Sequence, residues 1–102
     1  VTVGTEAGFA SPIPFNTVDT KVKLDVYSPA VGIPVLFKFE VSSNTAIAVE
    51  TIMLTTVANA WETIEFDFAV ENPGTPPLDL ANPYNKAVLF FDFGTVGDGS
   101  IY

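Results

Sequence analysis

The amino-acid sequence predicts an all-β chain, an antiparallel β-sandwich of the jelly-roll kind. Three observations predict it. Apolar residues recur with a period of two rather than the helical period of about 3.6. Gly, Pro, Asn and Ser clusters punctuate the alternating runs at the spacing of a strand and its turn. No segment joins a helix N-cap to an amphipathic stripe. At 102 residues the chain makes one small domain, 1–102, and its 48% hydrophobic and 13% aromatic content is enough to pack a core.

The elements follow in order. The opening VTVG reads as the tail of a strand. Residues 19–28, DTKVKLDVYS, put Val22, Leu24 and Val26 on one face and Lys21, Lys23, Asp25 and Tyr27 on the other, a half-buried strand. SPAVGIP then makes a turn through Pro29, Gly32 and Pro34. Residues 35–41 alternate Val35, Phe37, Phe39 and Val41 with Leu36, Lys38 and Glu40, and Ser42, Ser43 and Asn44 turn the chain. Residues 45–57 contain enough β-branched side chains to favour a strand over a helix. Residues 61–70, WETIEFDFAV, alternate most cleanly, with Ile64, Phe66 and Phe68 inward and Trp61, Thr63, Glu65 and Asp67 outward. Residues 72–85 form a loop holding Pro73, Pro76, Pro77 and Pro83, and loops of that length are often functional. Residues 86–93, KAVLFFDF, make a strand apolar on both faces, followed by a hairpin turn at Gly97-Asp98-Gly99 and a last strand begun by Ser100-Ile101-Tyr102.

Composition excludes several chemistries. The chain has no His, Cys or Arg; Lys21, Lys23, Lys38 and Lys86 face twelve Asp and Glu, for a net charge of -8. Imidazole-dependent nucleophilic catalysis is therefore absent. Zinc, haem and iron–sulfur sites lack their ligands, which leaves oxygen-ligated Ca²⁺ or Mg²⁺. Nucleic acid would be repelled. No apolar run reaches the roughly 20 residues that insert across a membrane. The chain begins with Val1 and shows no signal-peptide pattern, and it reads as a segment of something longer.

The stretches VKLDVYSPAVGIPVLFKFE, TTVANAWETIEFDF and YNKAVLFFDFGTVGDGSIY resemble a β-sandwich module of marine microbial and phage sequences. That module accompanies laminarinase-type enzymes and also occurs in large extracellular or virion proteins. More broadly the chain is similar to carbohydrate-binding modules of the galactose-binding jelly-roll type, over nearly its whole length. The resemblance implies a non-catalytic glycan-binding module, secreted or on a virion surface. Relatives carry further strands before the position of Val1 and beyond that of Tyr102. The resemblance therefore implies that terminal strands are lacking here, to be supplied by neighbouring domains or by a homo-oligomer. A structural Ca²⁺ held by those terminal carboxylates has no residues here to carry it.

Four groups of residues are candidates for chemistry. Trp61, Glu65 and Asp67 share the outward parity of their strand; a ring that stacks on a sugar beside carboxylates that accept hydroxyl hydrogen bonds suits glycan binding. The alternative is a Trp packed under a loop beside a solvated acidic face. Tyr27, on the polar parity, and Tyr84, in the Pro-rich loop, could each stack on a sugar, or Tyr84 could simply anchor its loop. Glu65, Asp67 and Glu71 approach the E-x-D-x-x-E strand of retaining laminarinase-type hydrolases, but with different spacing and in a chain too short for a cleft, so the reading is not an enzyme. Asp92, placed within the last long strand and needing a partner such as Lys86 or backbone donors if inward, and Asp98 could hold Ca²⁺, although no EF-hand series is present. Two functions follow: a glycan-binding module, or a structural brick of a virion or fibre that assembles by pairing strand edges.

Overall fold

The computed structural model describes residues 2–4 and 7–102, the first three by their backbone alone. Its strands are β1 (Thr2–Gly4), β2 (Lys21–Ser28), β3 (Pro34–Val41), β4 (Asn44–Leu54), β5 (Ala60–Asp67) and β6 (Lys86–Phe91). They form two antiparallel sheets, one ordered β1-β6-β3-β4 and the other a β2-β5 ribbon, which pack face to face as a β-sandwich. The described residues contain no helix.

The topology is one long hairpin folded over. The inner arm pairs β3 with β4 from Pro34↔Leu54 to Glu40↔Ala48, and the outer arm pairs β2 with β5 from Ser28↔Ala60 to Lys21↔Asp67. Partner residue numbers have the same sum in both arms, because the two links, 29–33 and 55–59, are of equal length. The chain thus turns a corner between sheets without losing register, as the nested strands of a jelly roll do.

Sequence chemistry makes that corner. Gly32 (φ 78°) and Asn59 (φ 56°) take the left-handed backbone that the two links need, which Gly and Asn adopt at low cost. Thr55 Oγ1 accepts the Ile33 N–H (3.0 Å) and donates to the Ala30 carbonyl (2.8 Å). Ser28 Oγ donates to the same carbonyl (2.8 Å), filling its second lone pair. Both hydroxyls are buried, so the corner is tied by bonds shielded from water.

Alternation puts the core where the sequence predicts it. Val26, Val35, Phe37, Phe39, Val41, Val49, Ile64, Phe66 and Phe68 are all buried between the sheets. Phe37, Phe39, Phe66 and Phe68 form a ring cluster with centroids 4.8–5.6 Å apart in tilted and edge-to-face contacts, and Phe15 joins it from the segment before β2. Such pairs add to the burial term that must hold a chain with no disulfide. β6 is apolar on both faces because it lies between β1 and β3: Ala87, Leu89 and Phe91 pack against the core, while Val88 and Phe90 lie on the outer face. On that outer face Lys38 lies opposite Glu50, and Lys86 opposite Glu40.

Several boundaries differ from expectation. β4 ends at Leu54, where the corner begins, and is bulged near its start, where the register shifts between Glu40 and Val41. β5 ends at Asp67 because the Val70 N–H bonds back to its carbonyl (3.0 Å), yet Phe68 still points inward and is fully buried. β6 ends at Phe91, since Asp92 (φ 56°) leaves the extended region. Asp92 is therefore in a turn, at the opposite end of β6 from Lys86, and the two are not partners. No strand follows Asp98: its Oδ1 accepts the Ser100 N–H (2.9 Å) in a tight turn, and Tyr102 folds back to stack on Phe91 at 5.3 Å. Thr2–Gly4 is a strand, as expected of the opening residues, while Val1 lies outside the described residues.

Replacing Thr55 by Val keeps the shape and removes both corner bonds of the Thr55 hydroxyl, leaving that of Ser28. It leaves the half-buried Ile33 N–H without its hydroxyl acceptor and the Ala30 carbonyl without the Thr55 donor, so urea unfolding should show a loss of about 1–3 kcal/mol. An unchanged midpoint would show that the corner does not depend on the hydroxyl.

Candidate functional site

The folded hairpin brings together residues that are far apart in sequence. On the outward face of the ribbon, Tyr27 lies directly opposite Trp61, Asp25 opposite Thr63, Lys23 opposite Glu65 and Lys21 opposite Asp67. Of the sequence candidates, Tyr27, Trp61, Glu65 and Asp67 therefore share one surface. Steps of about 7 Å between successive outward pairs make it roughly 20 Å long.

The aromatic end is the most distinctive. Trp61 is 72% exposed, and its ring meets that of half-buried Tyr27 edge to face at 5.8 Å and 61°. Trp61 does not pack under a loop. A large apolar side chain left in water forgoes about 1.5–3 kcal/mol of burial. Tyr27 supports one edge of the indole, and the remaining surface faces outward.

The polar part is ordered by short bonds. Thr63 Oγ1 donates to Asp25 Oδ1 across the strands at 2.6 Å, in the outward pair next to that of the rings. Glu65 is exposed, opposite Lys23. Asp67 closes the far end: Oδ1 accepts Thr20 Oγ1 (2.7 Å) and the Ala69 N–H (3.0 Å). The Thr20 hydroxyl, then the Ala69 N–H, with Lys21 adding a smaller effect, hold its carboxyl below the usual aspartate value. Asp67 is thus committed to the strand end as well as placed on the face. Glu71 lies past the turn that ends β5, so it does not continue the Glu65–Asp67 series.

Tyr84 does not belong to this surface. It is 1% exposed, its ring lies against Phe15, and its hydroxyl accepts the Asp79 N–H (3.1 Å) within the Pro-rich loop. It is the loop's anchor, and its ring cannot stack on an external sugar. An open groove of about 300 Å³ lies near it, lined by Ile47, Pro76, Pro77 and Asp79. Among the described residues no three acidic side chains converge as a metal site. Asp92 and Asp98 both lie near the Tyr102 hydroxyl; its partial burial, and then these two charges, raise its pKa above the ordinary value.

Sequence reasoning placed Asp25, Lys23 and Thr63 outward but did not assign them to the site. The missing fact was the β2–β5 pairing. The equal links flanking the β3–β4 hairpin are the signal that could have revealed it.

Fold and face together define a small two-sheet β-sandwich that presents an aromatic pair among hydrogen-bonding side chains. No protein-family model matches the chain, and no curated protein or solved structure matches it.

The Asp67 geometry sets a pH dependence. Its folded carboxyl titrates below the unfolded value of 3.8, so its contribution to stability is complete above that value and is lost as pH falls through the folded one. Thr20→Val removes the largest cause. NMR titration of Asp67 should then move up towards 3.8, and a midpoint unchanged from wild type would contradict the assignment.

Proposed function

We propose that the chain is a non-catalytic glycan-binding module, with the outer face of the β2–β5 ribbon as its binding surface. The observation that carries this reading is Trp61, 72% exposed and braced by Tyr27, beside the ordered Asp25–Thr63 pair and the exposed Glu65. Pyranose rings present a C–H face that stacks on an aromatic plane. Their hydroxyls donate to carboxylates and to the Thr63 oxygen, whose own proton is held by Asp25, and accept from Lys23. The face is open and elongated, which suits a chain polysaccharide better than a single enclosed sugar. The resemblance to modules of laminarinase-type and phage proteins supports the same function and, with it, a secreted or virion-surface location.

Affinity electrophoresis through laminarin, alginate and related glycans tests the proposal. Wild type should be retarded by at least one of them. Trp61→Ala should weaken that interaction by about tenfold or more, equivalent to about 1.4 kcal/mol. Tyr84→Phe should leave it unchanged while lowering stability by about 1 kcal/mol, the worth of a lost internal hydrogen bond. Absence of retardation in every glycan would remove the reading.

A further inference from the structure

The smaller sheet has two strands among the described residues, so each of its strands has one open edge. The two edges are not equivalent. On β5, the inward Ile64 and Phe66 are 5% and 0% exposed. Their direct partners on β2, Leu24 and Val22, are only half-buried. The core is therefore closed along β5 and, on β2, beneath buried Val26, and is open beside Val22 and Leu24. An open groove of about 300 Å³ runs beside the start of β2, between Lys21, Val22, Lys23 and the segment carrying Ile13 and Phe15.

The residue order of β2 is also self-complementary under a two-fold axis. Laying β2 antiparallel against β2 of a second copy, with Leu24 opposite Leu24, sets Lys23 opposite Asp25 of the second copy, and Asp25 opposite its Lys23. In the same register Val22 meets Val26 on the inward face and Lys21 meets Tyr27 on the outward one. Every outward pair is then opposite-charge or cation-aromatic, and every inward pair is apolar, which is the pattern that stabilises adjacent strands.

The remaining edges lack this match. β5 carries Glu62, Glu65 and Asp67 and no Lys, so pairing two copies through β5 gives no opposite-charge pair. β4 is bulged, and β1 is three residues long. The chain as a whole carries -8, but two of its four positive charges, Lys21 and Lys23, lie on β2.

We propose that two copies of the chain associate through their β2 edges, forming a continuous four-stranded sheet ordered β5-β2-β2-β5 about a two-fold axis at Leu24. A closed two-fold dimer is the commonest symmetric assembly and leaves no propagating edge. The new backbone ladder satisfies the outward N–H and C=O groups of β2, and the two Leu24 and two Val22 side chains complete the core that one copy leaves open. This inference rests on the edge alone and stands or falls separately from glycan binding.

The test uses the lack of native cysteine. Leu24→Cys places two thiols directly across the axis, within the Cα separation a disulfide spans. Mild oxidation should convert most chains to a covalent dimer on non-reducing gels, whereas Ser43→Cys, exposed in the β3–β4 turn, should give little. Light scattering over a concentration series should show a dimer for wild type. Lys23→Asp should weaken it about tenfold, and Lys23→Asp with Asp25→Lys should restore it, since the swap rebuilds both pairs. Circular dichroism checks that each variant is folded, and if Lys23→Asp is not, the cysteine pair decides alone. Wild type monomeric at every concentration, open-ended polymers, equal cross-linking at Leu24→Cys and Ser43→Cys, or no rescue by the swap in folded variants would each overturn the proposal.

Discussion

Everything in this molecule depends on the single register shared by both arms of one folded hairpin. The inner arm and the outer arm keep a common pairing only because the links 29–33 and 55–59 have equal length. Side chains alternate along a strand, so one extra residue in either link would shift β2 against β5 by one position. Strands can absorb such a slip only by turning one face over. Tyr27 or Trp61 would then enter the core, and Val26 or Phe66 would leave it. The corner hydrogen bonds of Ser28 and Thr55 protect this register, since both hydroxyls converge on the Ala30 carbonyl. Position-specific bonding of this kind selects one register, which hydrophobic burial alone does not.

The register also divides the aromatic residues by task. Phe37, Phe39, Phe66 and Phe68, which have no polar atoms, face inward and need no partner. Tyr84, with a hydroxyl, is buried only where a loop N–H reaches it. Trp61 and Tyr27 face outward, where their polar atoms meet water. This sorting follows from the cost of burying an unsatisfied donor or acceptor, and among the described residues no buried side-chain nitrogen or oxygen is without a partner.

Much of the fold was legible in the sequence because alternation is a local signal. The inward faces of β2, β3 and β5 follow directly from Val22-Leu24-Val26, Val35-Phe37-Phe39-Val41 and Ile64-Phe66. Less legible was which strand meets which, because pairing β2 with β5 is a contact between distant segments, marked only by the equal links around the inner hairpin and not within either strand. Hence Trp61, Glu65 and Asp67 could be grouped on one strand, while their neighbours Tyr27, Asp25 and Lys23 could not be joined to them. Tyr84 was ambiguous for a different reason. A Pro-rich loop has no periodicity, so nothing local says which way a side chain points. Strand ends were displaced wherever a left-handed residue or a back-bonded turn intervened, as at Asp92 and after Asp67.

An isolated two-stranded ribbon is at best marginally stable in water. This one is ordered because its inward face is anchored to the Phe cluster on the larger sheet. That anchoring is uneven across the ribbon's width, firm under β5 and incomplete under β2. Trp61 stands on the firm strand, and Tyr27, which braces it, stands on the open one. Rigidity of the aromatic pair is therefore coupled to whatever completes the β2 edge. A partner strand there would fix Tyr27 from its second side and extend the outward face across two copies, with an aromatic pair towards each end. Without one, Tyr27 is held only by its pairing to β5 and by Val26 and Ser28 beneath the same strand end, both of which are buried. Edge and face are thus parts of one mechanical unit, and the ordering cost of placing Tyr27 against a ligand falls as the edge is filled.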